Sequence, residues 1–187
     1  TQAIYTIFSA MLHAGDEVII FDPAYDCYDP SIKLQGAIPI HIELEHPSYS
    51  VNWSKVKNTI SDKTKMIVVN NPHNPTGAVL SENDIKELEN IIKANPNVLL
   101  LSDEVYEHIV FDGAQHCSAS RYPELAERSL IVASFGKTFH ATVWKIGYIY
   151  GPEIFLPEFR KVHQYVVFTV HTPSQYALAE YLSNPAN

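Results

Sequence analysis

Cysteine is scarce in this chain of 187 residues: only Cys27 and Cys117 occur, with no CxxC pair. That excludes a disulfide framework and a cysteine-built zinc site, and it fits two free thiols in a reducing cytoplasm. No apolar run approaches the roughly 18 residues of a membrane span. Positive charge is also short, with 13 Lys and Arg against 21 Asp and Glu and a formal net charge of −8. Nucleic acids and anionic membranes bind clustered cations, so neither is an expected partner, although a local basic site for one phosphate is compatible with this balance. Internal repeats and low-complexity stretches are absent. So is a secretory leader pattern, since Thr1 opens directly into a helical stripe; a start without Met is expected of a processed or truncated chain.

Several catalytic signatures are missing too. There is no GxSxG elbow and no GxGxxG fingerprint. Gly136-Lys137-Thr138 invites a phosphate-loop reading, but that pattern needs a glycine five residues earlier, where Ile131 stands. Nine histidines occur, none in an HxxxH or HxxEH pair, so scattered surface histidines and no metal site are expected.

What is present is the material of a core. Apolar residues make up 46% of the chain and charged residues only 18%, a composition for one folded domain and not for disorder. Short Val- and Ile-rich runs at 17–21, 38–42, 65–70, 98–102, 130–134 and 146–150 are bounded by Gly, Pro, Asn or Asp and read as strands. Several lack polar alternation, as strands covered on both faces do. Helical patterns lie between and beyond them, at 2–13 with Gly15 as a stop, at 82–93, at 153–168, and at 173–182 with Thr172 as a cap. Ser81 and Asp84 form the sequence of a capping box, with Asp in place of Glu or Gln. The alternation predicts an α/β domain: a mostly parallel central sheet flanked by helices on both faces. Ligands of such sheets sit outside the carboxyl ends of strands, which directs attention there.

Three predicted strand ends carry polar residues. The third strand runs into Asn71-Pro72-His73-Asn74-Pro75-Thr76-Gly77, which is either a structural turn or a rigid loop presenting the Asn74 amide. The fourth ends in Asp103-Glu104-Val105-Tyr106, where Asp103 is either a helix cap or a buried anion facing a cationic ring nitrogen. The fifth ends in Ser134-Phe135-Gly136-Lys137-Thr138. Lysine is usually a solvated surface group, but Lys137 directly after an apolar strand is placed to enter a site.

These three segments, in this order and spacing, resemble the fold-type I pyridoxal-phosphate aminotransferases of class I/II, and the resemblance covers essentially the whole chain. The stretches Asp22-Pro23-Ala24-Tyr25-Asp26-Cys27-Tyr28 and Lys161-Val162-His163-Gln164-Tyr165 are similar to the methionine and kynurenine–glutamine aminotransferase subgroup. The resemblance implies pyridoxal 5'-phosphate as cofactor, with Lys137 carrying it as a Schiff base and moving the substrate proton. A neutral lysine amine can be both nucleophile and base. It implies that Asp103 pairs with the ring nitrogen, that Asn74 and Tyr106 bond the ring hydroxyl oxygen, and that Tyr25 stacks on the ring. Ser134 and Lys145 would bind the phosphate together with Thr1 and Gln2 at a helix N-terminus.

By the same resemblance the chain, 1–187, is the large cofactor-binding domain without its N-terminal arm and C-terminal small domain. The protein is expected to be a cytoplasmic homodimer, with Phe168 and Thr169 near the partner's site. Its substrates are an amino acid, of methionine, glutamine or aromatic type, and a 2-oxo acid. The carboxylate-clamping arginine belongs to the small domain, so the isolated piece is expected to transaminate poorly. One residue departs from the pattern: Val143 stands where relatives have glycine, which predicts either a changed local backbone or a disturbed Lys145. Two other readings remain open, a pyridoxal-phosphate carbon–sulfur β-lyase on the same fold and a non-catalytic α/β domain.

Overall fold

A computed structural model describes residues 1–185. Six strands, β1 (Glu17–Asp22), β2 (Ile38–Glu43), β3 (Thr64–Asn70), β4 (Leu99–Asp103), β5 (Ser129–Ser134) and β6 (Gly147–Tyr150), form one sheet in the order β2-β1-β3-β4-β5-β6. β1 to β5 are parallel and β6 runs antiparallel to β5. The helices are α1 (Gln2–Met11), α2 (Tyr28–Leu34), α3 (Trp53–Thr59), α4 (Glu82–Ala94), α5 (Pro123–Ala126), α6 (Phe135–Thr138), α7 (Leu156–Val166) and α8 (Thr172–Ser183).

The two-residue period of the strands divides the core into two layers. Val18, Ile20, Met66, Val68, Leu99, Leu101, Leu130 and Val132 face one side, where Ile4, Ile7 and Phe8 of α1, Ile32 of α2 and Phe159 of α7 cover them. Ile19, Phe21, Ile67, Val69, Leu100 and Ile131 face the other, under Trp53 and Val56 of α3 and Ile85, Leu88, Ile91 and Ile92 of α4. Helices therefore flank both faces of the sheet. Burial on both sides explains why β3, β4 and β5 read as unbroken apolar runs.

All six expected strands form, with ends shifted by a residue or so. The capping box forms as well: Ser81 Oγ accepts from the Asp84 N–H at 3.2 Å, and Asp84 accepts from the Ser81 N–H at 2.8 Å. Other helix ends differ for identifiable reasons. α1 stops at Met11 because Leu12 is extended, and Gly15 (φ +89°) serves the following turn instead. α7 begins at Leu156, not at 153, because Pro157 is tolerated only in a first turn; at a fifth position it would remove a ladder bond. Its end precedes Phe168, which takes φ +66°. At α8 the cap is His171, not Thr172, and the His171 ring bonds Ser174 Oγ at 2.8 Å. Helices α2 and α3, of seven residues each, have no signal in the sequence because they are too short to show two turns of an apolar stripe.

The chain leaves β1 for β2 on one side and returns to β3 on the other, so the strand order reverses there. In open parallel sheets this reversal opens a crevice at the carboxyl ends.

Candidate functional site

A cavity of about 530 Å³ opens at the carboxyl ends of β3, β4 and β5, against the N-terminus of α1. All nine residues singled out as cofactor-binding or catalytic line it. The sheet register makes this possible, since Asn70 at the end of β3 pairs with Asp103 at the end of β4.

Asp103 is 4% exposed. No helix follows it, so it is not a helix cap; a turn at 105–108 comes next. Its Oδ2 accepts the Tyr28 hydroxyl at 2.7 Å, and Oδ1 accepts the Val105 N–H at a long 3.3 Å. Burial pushes its carboxyl above the ordinary value, and the Tyr28 bond opposes that shift. Tyr106 follows in the turn, and burial beside Asp103 raises its phenol too.

Asn70 and Asn71 build the loop after β3. Asn70 Nδ2 donates to the Asp103 carbonyl at 3.0 Å while its Oδ1 accepts the Asn74 N–H at 2.7 Å. Asn71 Oδ1 accepts the Leu80 N–H at 3.0 Å. His73 and Gly77 close the loop through a 2.8 Å backbone bond, with Gly77 at φ +74°, where a side chain would be strained. The loop is thus a pinned turn, and it carries Asn74 into the cavity.

At the end of β5, Ser134 Oγ accepts the Gly136 N–H at 3.1 Å and caps the short α6. A Cβ on Gly136 would lie 3.0 Å from the Thr142 backbone, so glycine lets the 142–144 turn close on α6. Thr142 then bonds the Gly136 carbonyl at 3.1 Å. Lys137 lies at the cavity, exposed and not buried, with Nζ 5.9 Å from the Tyr106 ring centroid. Lys145 takes the left-handed conformation (φ 55°, ψ 41°) and lines the same cavity. Val143 is not among the residues with positive φ, and it is 84% exposed. The strain predicted at this position therefore does not arise, and Lys145 still reaches the cavity.

The N-terminus of α1 completes the lining. Thr1 Oγ1 lies 3.1 Å from the Tyr25 hydroxyl, and the first N–H groups of the helix have no side-chain cap. Unpaired N–H groups and the helix dipole favour an anion there. The cavity combines a buried carboxylate with the cations Lys137 and Lys145 and a helix N-terminus. That donor set suits a ligand with a cationic ring and an anionic group, plus a carbon that an amine can attack. Pyridoxal phosphate has all three.

Asn70, Tyr148 and Phe159 are among the lining residues with no local signal in the sequence, and His163 lines the cavity with them. Tyr28 lies buried behind Asp103. Tyr148 donates to Glu107 at 2.9 Å, and its phenol is raised by burial and by Glu107. The histidines are not uniformly on the surface. His163 Nδ1 is buried without a partner among the described residues, and burial depresses His73. His116 has a side chain 9% exposed and bonds Glu104 at 2.9 Å. Glu104, Glu107 and His116 place one potential ligand atom each within 4.8 Å of one another. Glu104 already binds Ser102, His116 and Ala119, which marks it as a structural clamp. Phe168 and Thr169, exposed beyond α7, do not line the cavity.

The profile of the family "Aminotransferase class I and II" matches residues 1–187. Methionine aminotransferase of Escherichia coli (strain K12) is 44% identical over 182 residues, spanning 97% of this chain and 47% of that protein. Human kynurenine–oxoglutarate transaminase 1 is 37% identical over 189 residues, spanning 95% of this chain and 44% of that protein. A solved structure of an E. coli protein with methionine aminotransferase function superposes with a TM-score of 0.95 at 43% identity, covering 99% of this chain and 49% of that one. The chain thus spans about half the length of the curated relatives it matches.

Proposed function

The chain belongs to the class I and II aminotransferases, and from that premise we propose that it is the cofactor-binding large domain of a pyridoxal-phosphate aminotransferase. The whole protein would move an amino group from an amino acid to a 2-oxo acid. Its donor would be an amino acid of methionine, glutamine or aromatic type; of these, methionine stands in the name of a relative. The observation that carries the reading is the convergence on one cavity of Lys137, the buried carboxylate of Asp103 and an anion-binding corner.

Pyridoxal phosphate, when bound, supplies an aldehyde carbon that amines attack and a protonated ring that delocalises the electron pair left at the substrate carbon. Lys137 Nζ would hold the cofactor through its aldehyde carbon and, once freed as a neutral amine, would take the proton from the substrate carbon. Asp103 would hold the proton on the ring nitrogen, a role suited to a carboxylate buried at a strand end. Asn74 and Tyr106 would bond the ring hydroxyl oxygen, and Tyr25 would stack on the ring. Ser134, Lys145 and the first turn of α1, with Thr1 and Gln2, would bind the phosphate. The protein is proposed to be a cytoplasmic homodimer in which Phe168 and Thr169 approach the partner's site.

Borohydride reduction of the chain with pyridoxal phosphate, followed by peptide mass spectrometry, tests the reading. The adduct is expected on Lys137 and is expected to vanish in Lys137→Ala. Equal labelling of the surface lysines would overturn it.

A further inference from the structure

Asp103 is the buried carboxylate of the cavity. Among the described residues its side chain is held by two neutral donors, the Tyr28 hydroxyl and the Val105 N–H, and not by a salt bridge. Of the two donors, the Val105 N–H is long at 3.3 Å, whereas the Tyr28 hydroxyl sits at 2.7 Å. The latter distance is that of a charge-assisted phenol–carboxylate bond.

Tyr28 is itself fixed. It is the first residue of α2, is 3% exposed, and packs within the core layer formed by α1, α2 and α7. Its ring meets Tyr25 edge-on at 5.6 Å, and Tyr25 reaches Thr1 at the anion-binding corner. A rigid aromatic pair therefore links the carboxylate end of the cavity to its phosphate end.

We propose that Tyr28 is a positioning residue for the cofactor: its phenol holds one oxygen of the Asp103 carboxylate and so fixes the group that meets the ring nitrogen. The proposal deepens the function proposed above, and its cofactor arm rests on that reading. Tyr28 touches Asp103 and does not line the cavity, so it acts through the carboxylate.

The bond also sets the proton affinity of Asp103. Burial and the charge of Glu104 raise it, and the Tyr28 and Val105 bonds lower it. Tyr106 and Cys27 are the other titrating groups beside it, and the cations Lys137 and Lys145 share its cavity. The Tyr28 phenol is pushed well above its ordinary value, so it keeps its proton and remains a donor. A carboxylate that loses this donor protonates at a higher pH. A neutral Asp103 would no longer balance a protonated ring.

The alternative is that Asp103 merely satisfies a buried hydroxyl that fills the core. Tyr28→Phe separates the two, because it keeps the ring and removes the donor. Carbon-13 NMR of the Asp103 carboxyl, without cofactor, should show its midpoint rising by about one to two pH units, the effect of one hydrogen bond to a charged acceptor. A midpoint within about 0.3 pH units of wild type would overturn the proposal.

In a pyridoxal-phosphate titration, the variant's affinity should fall about tenfold for each pH unit that separates the two midpoints. In that window the wild-type carboxylate is charged and the variant's is neutral; above both midpoints the affinities should converge. Equal affinity throughout the window would overturn the cofactor arm. If neither protein binds the cofactor, the proposed function fails while the NMR arm still decides the role of Tyr28. Should Tyr28→Phe not fold, the wild-type Tyr28 Cζ resonance serves instead. It must follow the Asp103 midpoint, and a flat response would refute the bond's role.

Discussion

Glu104→Gln is expected to destabilise the domain by about 2–4 kcal/mol at pH 7, although it alters one atom of a side chain that is 1% exposed. Glu104 Oε1 accepts Ser102 Oγ at 2.8 Å and the Ala119 N–H at 3.0 Å, and Oε2 lies 2.9 Å from His116 Nε2. His116 Nδ1 is buried without a partner among the described residues, so the ring is assigned its proton on Nε2, donating to Glu104. Glutamine can keep Oε1 toward Ser102 and Ala119, but its amide then faces the His116 N–H, donor against donor. Moving the proton to Nδ1 buries an unpaired donor, at about 1–3 kcal/mol, and two charge-assisted bonds become neutral, for about 1 kcal/mol more.

Urea unfolding at pH 7 measures the sum, and the melting temperature should fall by about 5–15 °C. The pH dependence supplies a second check. Burial pushes the Glu104 carboxyl up, but the bonds from His116 and Ala119 outweigh it and hold the group below its ordinary value. A depressed carboxylate contributes stability above its unfolded value of about 4.3 and loses it as pH falls through the folded value. The gap between wild type and Glu104→Gln should therefore stay level from pH 7 to about 5 and narrow below about 4.3. A gap under about 0.5 kcal/mol at pH 7, or one that widens in acid, would refute the reasoning.

A Cβ on Gly147 would fall on the Ala133 carbonyl oxygen, so Gly147→Ala should push β6 off β5 and lower stability by about 1–3 kcal/mol; an unchanged urea midpoint would contradict this. Ser81→Ala should cost about 1 kcal/mol through loss of the α4 capping box, read by thermal melting against wild type. Val143→Gly should lower stability by no more than about 1 kcal/mol, the backbone cost of glycine in the 142–144 turn, because the residue is 84% exposed and its side chain buries little. Calorimetric titration with inorganic phosphate should give the same affinity for both proteins. A tighter site in the glycine variant would show that Val143 does disturb Lys145.

Much of this architecture was legible in the chain. The strands were readable because burial on both faces demands unbroken apolar runs, and α4 because its cap and stripe are local signals. Asn74, Asp103, Ser134 and Lys137 were findable because polar residues directly after such runs fall at carboxyl ends. Lys145, Thr1 and Tyr25 rested on resemblance to a family, since nothing in their spacing points to a shared cavity. The surface placement expected of the histidines fails at His116, which pairs with Glu104 twelve residues away, a contact that the path of the 105–118 segment creates.

By itself, then, the sequence determined the α/β class, the mostly parallel sheet and the strand ends whose polar residues line the cavity, because period, capping and burial are short-range properties of the chain. Only the tertiary structure decided which strand ends are neighbours. It set β3 beside β4 and β5, and brought the N-terminus of α1 to the same opening. It alone placed the Tyr28 hydroxyl 2.7 Å from Asp103 across 75 residues of sequence. A hydrogen bond is decided by a fraction of an ångström, and at that separation along the chain only the packing of α2 against the sheet can fix it.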